Sequence, residues 1–84
     1  MLNIGDVVEP NEAARSEGKV LRCGSGRYAC AVVVSLKPFA IASIDASMLW
    51  SCTWEAEELE AVGTMELTKQ HVRRATELQK GNQC

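Results

Sequence analysis

The stretch 28–36 constrains the fold more than any other part of the 84-residue chain. In an extended strand, Tyr28, Cys30, Val32, Val34 and Leu36 share one face, and the intervening residues are mostly apolar as well. A strand that is apolar on both faces is typical of the centre of a sheet, or of a sheet whose second face is covered by a helix or another subunit. The sequence therefore predicts a central strand with both faces buried.

Turn-forming residues divide the surrounding sequence into four further short strands, at 7–8, 18–23, 39–44 and 48–54. Segment 11–18 is polar and is predicted as a loop, in which 12–15 could form one helical turn. Leu59 and Val62 are three residues apart and fit a single 3₁₀ turn that places two apolar side chains in a core. These patterns together predict a small β-rich domain.

From Thr64 onward the pattern becomes helical, with Thr64 suited to the N-cap and Gly81 to the C-terminal stop. A narrow apolar stripe follows at helical spacing, formed by Met65, Thr68, Val72 and Ala75, with Leu78 beside it. The stripe is thin for a helix fully docked on a core. The predicted fold is therefore mostly β: a five-stranded small barrel in 1–63, followed by one C-terminal α-helix and tail in 64–84.

Composition narrows the class of protein. Nine Lys and Arg face eleven Asp and Glu, for a net charge of −2, which disfavours a nucleic-acid binder because such domains are usually basic. No apolar run approaches the roughly 20 residues that span a bilayer, and the sequence start lacks the features of a secretion signal. A cytoplasmic, membrane-free protein is therefore expected.

The four cysteines are predicted to be structural. Cys23, Cys30, Cys52 and Cys84 lie 7, 22 and 32 positions apart, without the close pairs that zinc sites use. Four cysteines in a short chain could form two disulfides in an oxidising compartment, but in a cytoplasmic protein they are expected to be reduced thiols. His71, the single histidine, has polar neighbours and is predicted to lie on the surface. No metal, cofactor or catalytic residue is predicted.

Three segments carry a resemblance to a known fold: Ile4-Gly5-Asp6-Val7-Val8, Gly18-Lys19-Val20 and Leu59-Glu60-Ala61-Val62. Together with five short strands they resemble a Src-homology-three-like small barrel. The arrangement is also similar to the plasmid-borne type II dihydrofolate reductases, in which four subunits surround a shared pore. The resemblance covers 4–63 and implies a homo-oligomer of small barrels.

The resemblance does not extend to the residues that line the reductase pore. The family has a Val-Gln-Ile-Tyr segment before its Leu-Glu ending, and its glutamine and tyrosine hold cofactor and folate. The matching positions here are Cys52 and Trp54. A thiol cannot replace the donor and acceptor of an amide, and the indole nitrogen only donates. No active-site residue therefore carries over from this family.

Two groups of residues are candidates for a binding surface in the barrel. Glu55, Glu57 and Glu58, with Glu60, form the densest charge cluster and could receive a basic partner, although such a run is usually a solvated face. Trp50 and Trp54 could form an exposed aromatic platform, since tryptophan is enriched at interfaces. The alternative is that both indoles fill the core, because each can bury a large area.

The C-terminal segment supplies the remaining candidates, Arg73 and Arg74. Segment 64–84 has a net charge of +2 and segment 1–63 a net charge of −4, so the helix could dock on the acidic part of its own or a neighbouring subunit. The leading functional prediction is a non-enzymatic self-associating binding module, a dimer or tetramer that could also bind another protein. The alternative is a pore-type small-molecule binder or reductase-like enzyme formed at the subunit junction.

Overall fold

The computed structural model describes residues 1–51 and 53–78 of the chain. Its strands are β1 (Asp6–Pro10), β2 (Leu21–Cys23), β3 (Gly26–Tyr28), β4 (Ala31–Leu36), β5 (Phe39–Ser43), β6 (Leu49–Ser51) and β7 (Leu59–Thr64). Two α-helices, α1 (Glu12–Ser16) and α2 (Lys69–Leu78), and a 3₁₀ turn at Ala56–Glu58 complete these elements. The prediction of a mostly β domain with one C-terminal helix is confirmed.

Five strands form one antiparallel sheet in the order β6-β5-β4-β1-β7, while β2 and β3 form a separate hairpin. Strands β6 and β7 lie at opposite ends of the sheet, and no pairing joins them in the part of the chain that the structure describes. The sheet is therefore open, and its predicted closure into a barrel is not confirmed.

Strand β4 is the centre of this sheet, as its two-sided pattern predicts. Its first four residues are all buried, and β1 and β5 pair with it on either side. Ala31 and Val33 pack in one apolar cluster, whereas Val32 and Val34 pack in another. Because successive side chains of a strand point to opposite faces, the one continuous apolar segment of β4 contributes to two cores.

The first core, called here the indole face, contains the two tryptophans. Its buried members are Val8, Ala14, Leu21, Ala31, Val33, Ile41, Trp50, Trp54 and Leu59. The β2–β3 hairpin and α1 contribute to it through Leu21 and Ala14, and Tyr28 packs against it. Elements outside the main sheet therefore help to close this face.

The second core, called here the helix face, lies under α2. Its buried members are Val32, Val34, Ala40, Ala42, Leu49 and Leu78, with Met65, Leu67 and Ala75 packed against them. Within α2, only His71 and Leu78 are buried, and Val72 is 57% exposed. The predicted stripe is therefore wrong at Val72, because the helix is turned so that positions 71, 75 and 78 face the sheet.

Element boundaries differ from the predictions in three places. The predicted third strand is divided, because β3 pairs with β2 while β4 joins the main sheet. Segment 59–64 forms a full strand on β1, and the 3₁₀ turn precedes it. Helix α2 begins at Lys69, because the Thr68 hydroxyl accepts the His71 backbone N–H at 3.4 Å and caps the helix four residues after the predicted Thr64.

Gly5 connects the N-terminal segment both to β4 and to the residue that follows β7. Its φ of +96° lies in the left-handed region, its N–H donates to the Val33 carbonyl at 2.9 Å, and its carbonyl accepts the Met65 N–H at 2.8 Å. A Cβ at this position would lie 3.0 Å from the Met65 carbonyl oxygen. Glycine is therefore required by both the backbone angle and the close contact.

Candidate functional site

The outer strand β7 is the most exposed strand of the main sheet. It pairs with β1 on one side, and of its six residues only Leu59 is buried. Val62 has no partner on β1, where the register shifts, and 54% of its surface is exposed. By contrast, the edge strand β6 has three residues, and all are buried. The sheet thus has one covered edge and one open edge.

An apolar groove of about 490 Å³ runs beside β7. Its apolar lining is Met1, Leu2, Ala56, Leu59 and Ala61, and Glu57 and Glu60 line it as well. Leu2 also packs against the indole face. The open edge is therefore flanked by a concave apolar surface that side chains of an added strand could enter.

The glutamates of the predicted acidic cluster have different environments. Glu55 and Glu57 are exposed, whereas Glu58 is half-buried and forms an ion pair with Lys19. The hydrogen bond from the Lys19 ammonium, followed by the one from the Glu55 N–H, lowers the pKa of Glu58 below its ordinary value. Glu60 forms an ion pair with Arg15, in which 3.6 Å separates Glu60 Oε1 from Arg15 Nη2. The cluster is thus partly neutralised within the chain.

The structure buries both candidate tryptophans, which agrees with the core-packing alternative. Trp50 is 3% and Trp54 6% exposed. The Trp50 indole N–H donates to the Arg22 carbonyl at 3.1 Å, and its ring meets Tyr28 edge to face at a centroid separation of 5.2 Å. The Lys19 ammonium lies 4.6 Å from the centre of a Trp54 ring. The edges of both indoles still line a groove of about 340 Å³.

Arg73 and Arg74 are not equivalent. Arg73 is exposed and free to meet a partner. Arg74 is half-buried: its Nε–H donates to the Ala46 carbonyl at 2.9 Å, and its Nη1 lies 2.8 Å from Glu77. Arg74 therefore joins α2 to the turn between β5 and β6, and it is the residue of this pair that holds the helix in place.

Sequence reasoning missed the part played by His71, which is 1% exposed, so the prediction of a surface histidine is wrong. Its ring lies between the Thr68 amide and the Ser43 carbonyl. The spacing Thr68-x-x-His71 is that of a capping box, with histidine in the place of the usual glutamate or glutamine. That spacing is the signal that could have revealed it.

The proximity of Ser43, Asp45 and His71 is structural and does not form a nucleophilic triad. The imidazole faces the Ser43 carbonyl, while the Ser43 hydroxyl donates to Asp45 at 2.7 Å and is fully buried. Hydrogen bonds from the hydroxyls of Ser47 and Ser43 and from the Ser47 N–H lower the pKa of Asp45 to about 2. The carboxylate therefore organises the turn between β5 and β6.

The cysteines differ from their prediction in one respect. Cys23 is disulfide-bonded, so the expectation of four reduced thiols is wrong, whereas Cys30 is a free, half-buried thiol. Cys52 and Cys84 lie outside the described residues. Disulfides persist mainly in oxidising compartments. The cytoplasmic location stays a prediction, and the disulfide at Cys23 argues against it. Among the described residues, no group of three or more His, Cys, Asp or Glu could hold a metal ion.

The chain was compared with protein-family models, curated proteins and solved structures, and none of the three comparisons found a match. The resemblance to Src-homology-three-like barrels and to type II dihydrofolate reductases therefore gains no support from relatives. No helix within 1–51 and 53–78 has the length and apolar character needed to cross a membrane.

Proposed function

We propose that the chain is a non-enzymatic self-associating module in which β7 pairs antiparallel with β7 of a second copy. The observation that carries this proposal is the contrast between the two sheet edges: β6 is buried, whereas five of the six residues of β7 are exposed. An open edge presents unpaired N–H and C=O groups, which are satisfied best by another strand.

The composition of β7 favours pairing. It lacks Lys and Pro, two residues with which natural edges are often protected, and Glu60 is its one charged residue; the bulge at Val62 is a further feature that opposes pairing. Antiparallel pairing about Ala61 places Glu60 opposite Val62 of the second copy, so like charges do not face each other. The same strand can therefore serve as both halves of a symmetric contact.

A second copy also explains the apolar surface around the edge. Met1, Ile4 and Val62 are large exposed apolar residues, and Met1 lines the groove beside β7. A two-fold contact uses the same patch on both subunits and closes after two copies, so it covers this surface without a further partner. The proposed assembly unit is therefore a dimer.

Two variants with matched exposure test the contact. Val62 on β7 is 54% exposed and Val72 on α2 is 57% exposed, so lysine is expected to be tolerated at either position by the single subunit. We expect light scattering after gel filtration to give a mass twice 9.2 kDa for the unaltered chain and for Val72→Lys. Val62→Lys should weaken the dimer at least about tenfold, because a lysine on an edge strand opposes pairing.

Two results would overturn the proposal. One is a monomeric mass for the unaltered chain at a concentration of about 100 μM, which would mean that the free energy of association is weaker than about −5.5 kcal/mol. The other is a dimer that Val62→Lys leaves intact, which would move the contact to another surface. Measured at a concentration low enough for every chain to be monomeric, the free energy of unfolding of both variants should lie within about 0.5 kcal/mol of that of the unaltered chain, so that a change of mass reports association.

The Src-homology-three-like relation belongs to the same proposal. It is supported by a small antiparallel sheet of five strands whose free end is β7. The alternative of a pore-type ligand site or reductase-like enzyme gains no specific observation beyond the open groove of about 340 Å³ that Trp50 and Trp54 line.

A further inference from the structure

The β2–β3 hairpin carries two arginines that face each other. Arg22 on β2 pairs directly with Arg27 on β3, and both are exposed. Leu21 and Tyr28, the neighbouring pair, pack on the indole face, so the arginines project from the opposite side of the hairpin. Residues directly opposite each other in an antiparallel pair have Cβ atoms about 4.5–5.5 Å apart. The two guanidinium groups can therefore reach one small ligand together.

No counter-charge in the described part of the chain accompanies this pair. Like charges directly opposite each other in a sheet are destabilising, and within 1–51 and 53–78 no carboxylate forms an ion pair with either arginine. The neighbouring cations differ in this respect, since Lys19 is paired with Glu58, and Arg15 with Glu9 and Glu60. The two arginines of the hairpin thus remain available to a ligand.

The region around the hairpin is basic, although the chain as a whole is acidic. Segment 15–27 contains four basic residues and one acidic residue, a net charge of +3, whereas the net charge of the whole chain is −2. A region of one sign attracts ligands of the opposite sign. The ligand that this surface favours is therefore an anion.

A groove beside the pair can hold the rest of such a ligand. The groove of about 340 Å³ that the edges of both indoles line is also lined by Arg22 and by Val20, which is 39% exposed. Small-molecule sites typically have volumes of about 300–1,000 Å³ and mostly apolar linings. An apolar group attached to the anion can therefore lie against Val20 and the indole edges.

The hairpin also holds the arginines in place before any ligand binds. The Trp50 indole N–H donates to the Arg22 carbonyl at 3.1 Å, Leu21 beside it is buried, and Cys23 after it is disulfide-bonded. Groups that are already ordered lose less entropy on binding. The backbone that carries the pair is therefore preorganised.

We propose that Arg22 and Arg27 bind the phosphate of a small phosphomonoester whose apolar group lies in this groove. A phosphomonoester carries a charge of about −1.5 to −2 at pH 7 and offers three acceptor oxygens, which matches two guanidinium groups. Each guanidinium can donate two parallel N–H bonds to such a group. A carboxylate carries a single charge and matches the pair less well. The site does not involve β7, so it does not depend on the proposed dimer.

Phenyl phosphate is the probe, because it joins a phosphate monoester to one apolar ring. Backbone amide chemical shifts, recorded at pH 8 and constant ionic strength, give its dissociation constant. Arg22→Gln and Arg27→Gln each remove one guanidinium. Arg73→Gln is the matched control, since Arg73 is an exposed arginine of α2 and its replacement changes the net charge by the same amount.

We expect the unaltered chain to bind phenyl phosphate with a dissociation constant of about 1 mM, and the shifts to lie in the hairpin and the groove. Arg22→Gln and Arg27→Gln should each weaken binding at least about tenfold, because charge-assisted hydrogen bonds are lost. Arg73→Gln should change the constant by less than about twofold, since its charge is distant and screened.

Two further ligands identify the chemistry that the site recognises. Benzoate keeps the ring but carries one charge, so it should bind about tenfold more weakly than phenyl phosphate. Inorganic phosphate lacks the apolar ring and should bind at least about threefold more weakly. Equal affinity for benzoate would overturn the assignment to phosphate, and equal affinity for inorganic phosphate would overturn the part played by the groove.

The remaining outcomes are equally decisive. Absence of binding at about 10 mM phenyl phosphate, or equal weakening in Arg73→Gln, would overturn the proposal. Without ligand, the thermal midpoint of each hairpin variant should equal or exceed that of the unaltered chain, because a like charge has been removed from the pair. A lower midpoint would show that the arginine serves the fold, which would contradict a ligand site.

Discussion

The two faces of the sheet are closed by different kinds of interaction. The indole face is filled by large apolar side chains, above all Trp50, Trp54 and Ile41. The helix face is filled by smaller residues of the sheet, and α2 adds one buried apolar side chain, Leu78. Polar contacts through His71 and Arg74 complete the attachment of the helix.

This difference predicts different stabilities for the two faces. Burial of apolar area contributes about 25 cal/mol per Å² and is spread over many contacts. Hydrogen bonds contribute about 1 kcal/mol each and are lost when a single partner moves. The indole face should therefore unfold only with the whole domain, whereas the helix face can open alone.

The largest expected effect tests the indole face. Trp50→Ala removes a nearly buried ring together with its contacts to Tyr28 and Arg22, and should lower the free energy of unfolding by about 3–5 kcal/mol. Domains of this kind are stable by only about 5–15 kcal/mol, so global unfolding at moderate temperature is expected. Thermal unfolding followed by far-UV circular dichroism measures it. An unchanged midpoint would show that the indole is not essential to this face.

A smaller and local effect is expected on the helix face. Leu78→Ala removes the main apolar contact of α2 and should cost about 2 kcal/mol, seen as a loss of exchange protection in α2 but not in β4. Val72→Ala on the same helix is the control, since Val72 is exposed and should have little effect. Loss of protection in all strands of the Leu78→Ala variant would contradict independent opening of the helix.

The smallest effect concerns the turn that α2 contacts. Hydrogen bonds lower the pKa of Asp45 to about 2 in the folded chain, below the ordinary value of about 3.9 in the unfolded chain. The unfolded state therefore binds more protons in this range, so the contribution of Asp45 to stability is complete above about pH 4 and is lost as the pH falls to about 2.

Asp45→Asn tests this contribution. We expect the unaltered chain to be the more stable at pH 6 and the difference from the variant to shrink as the pH falls to about 2. Urea unfolding at a series of pH values measures both. A difference that is independent of pH would show that the carboxylate charge does not contribute.

Much of the fold could be predicted because local pattern and burial agree. The alternation in 28–36 predicts that β4 is central, and the structure confirms burial on both of its sides. The size of the indoles favours core packing, and both are buried. In both cases the apolar character and size of the residues themselves favour burial.

The candidate site was harder to predict because it depends on pairing between distant segments. Strand β7 forms against β1, about 50 residues earlier, and its sequence Leu-Glu-Ala-Val-Gly-Thr carries no clear strand pattern. Glu58 belongs to a charged run, yet its environment is set by Lys19, which the run does not reveal. His71 has polar neighbours in sequence, and only the docked helix shows that it is buried.

The two-sided burial of β4 also affects how the chain finds its fold. A strand with one polar face would expose apolar groups if it slipped by one residue, but β4 would still bury apolar side chains on both sides. Its register against β5 is instead marked by the irregularity at Val34, which separates the Val33–Ile41 pair from the Ser35–Ala40 pair. The two-residue turn at 37–38, across which Leu36 pairs with Phe39, therefore has to set the register of this hairpin, because burial alone does not select it.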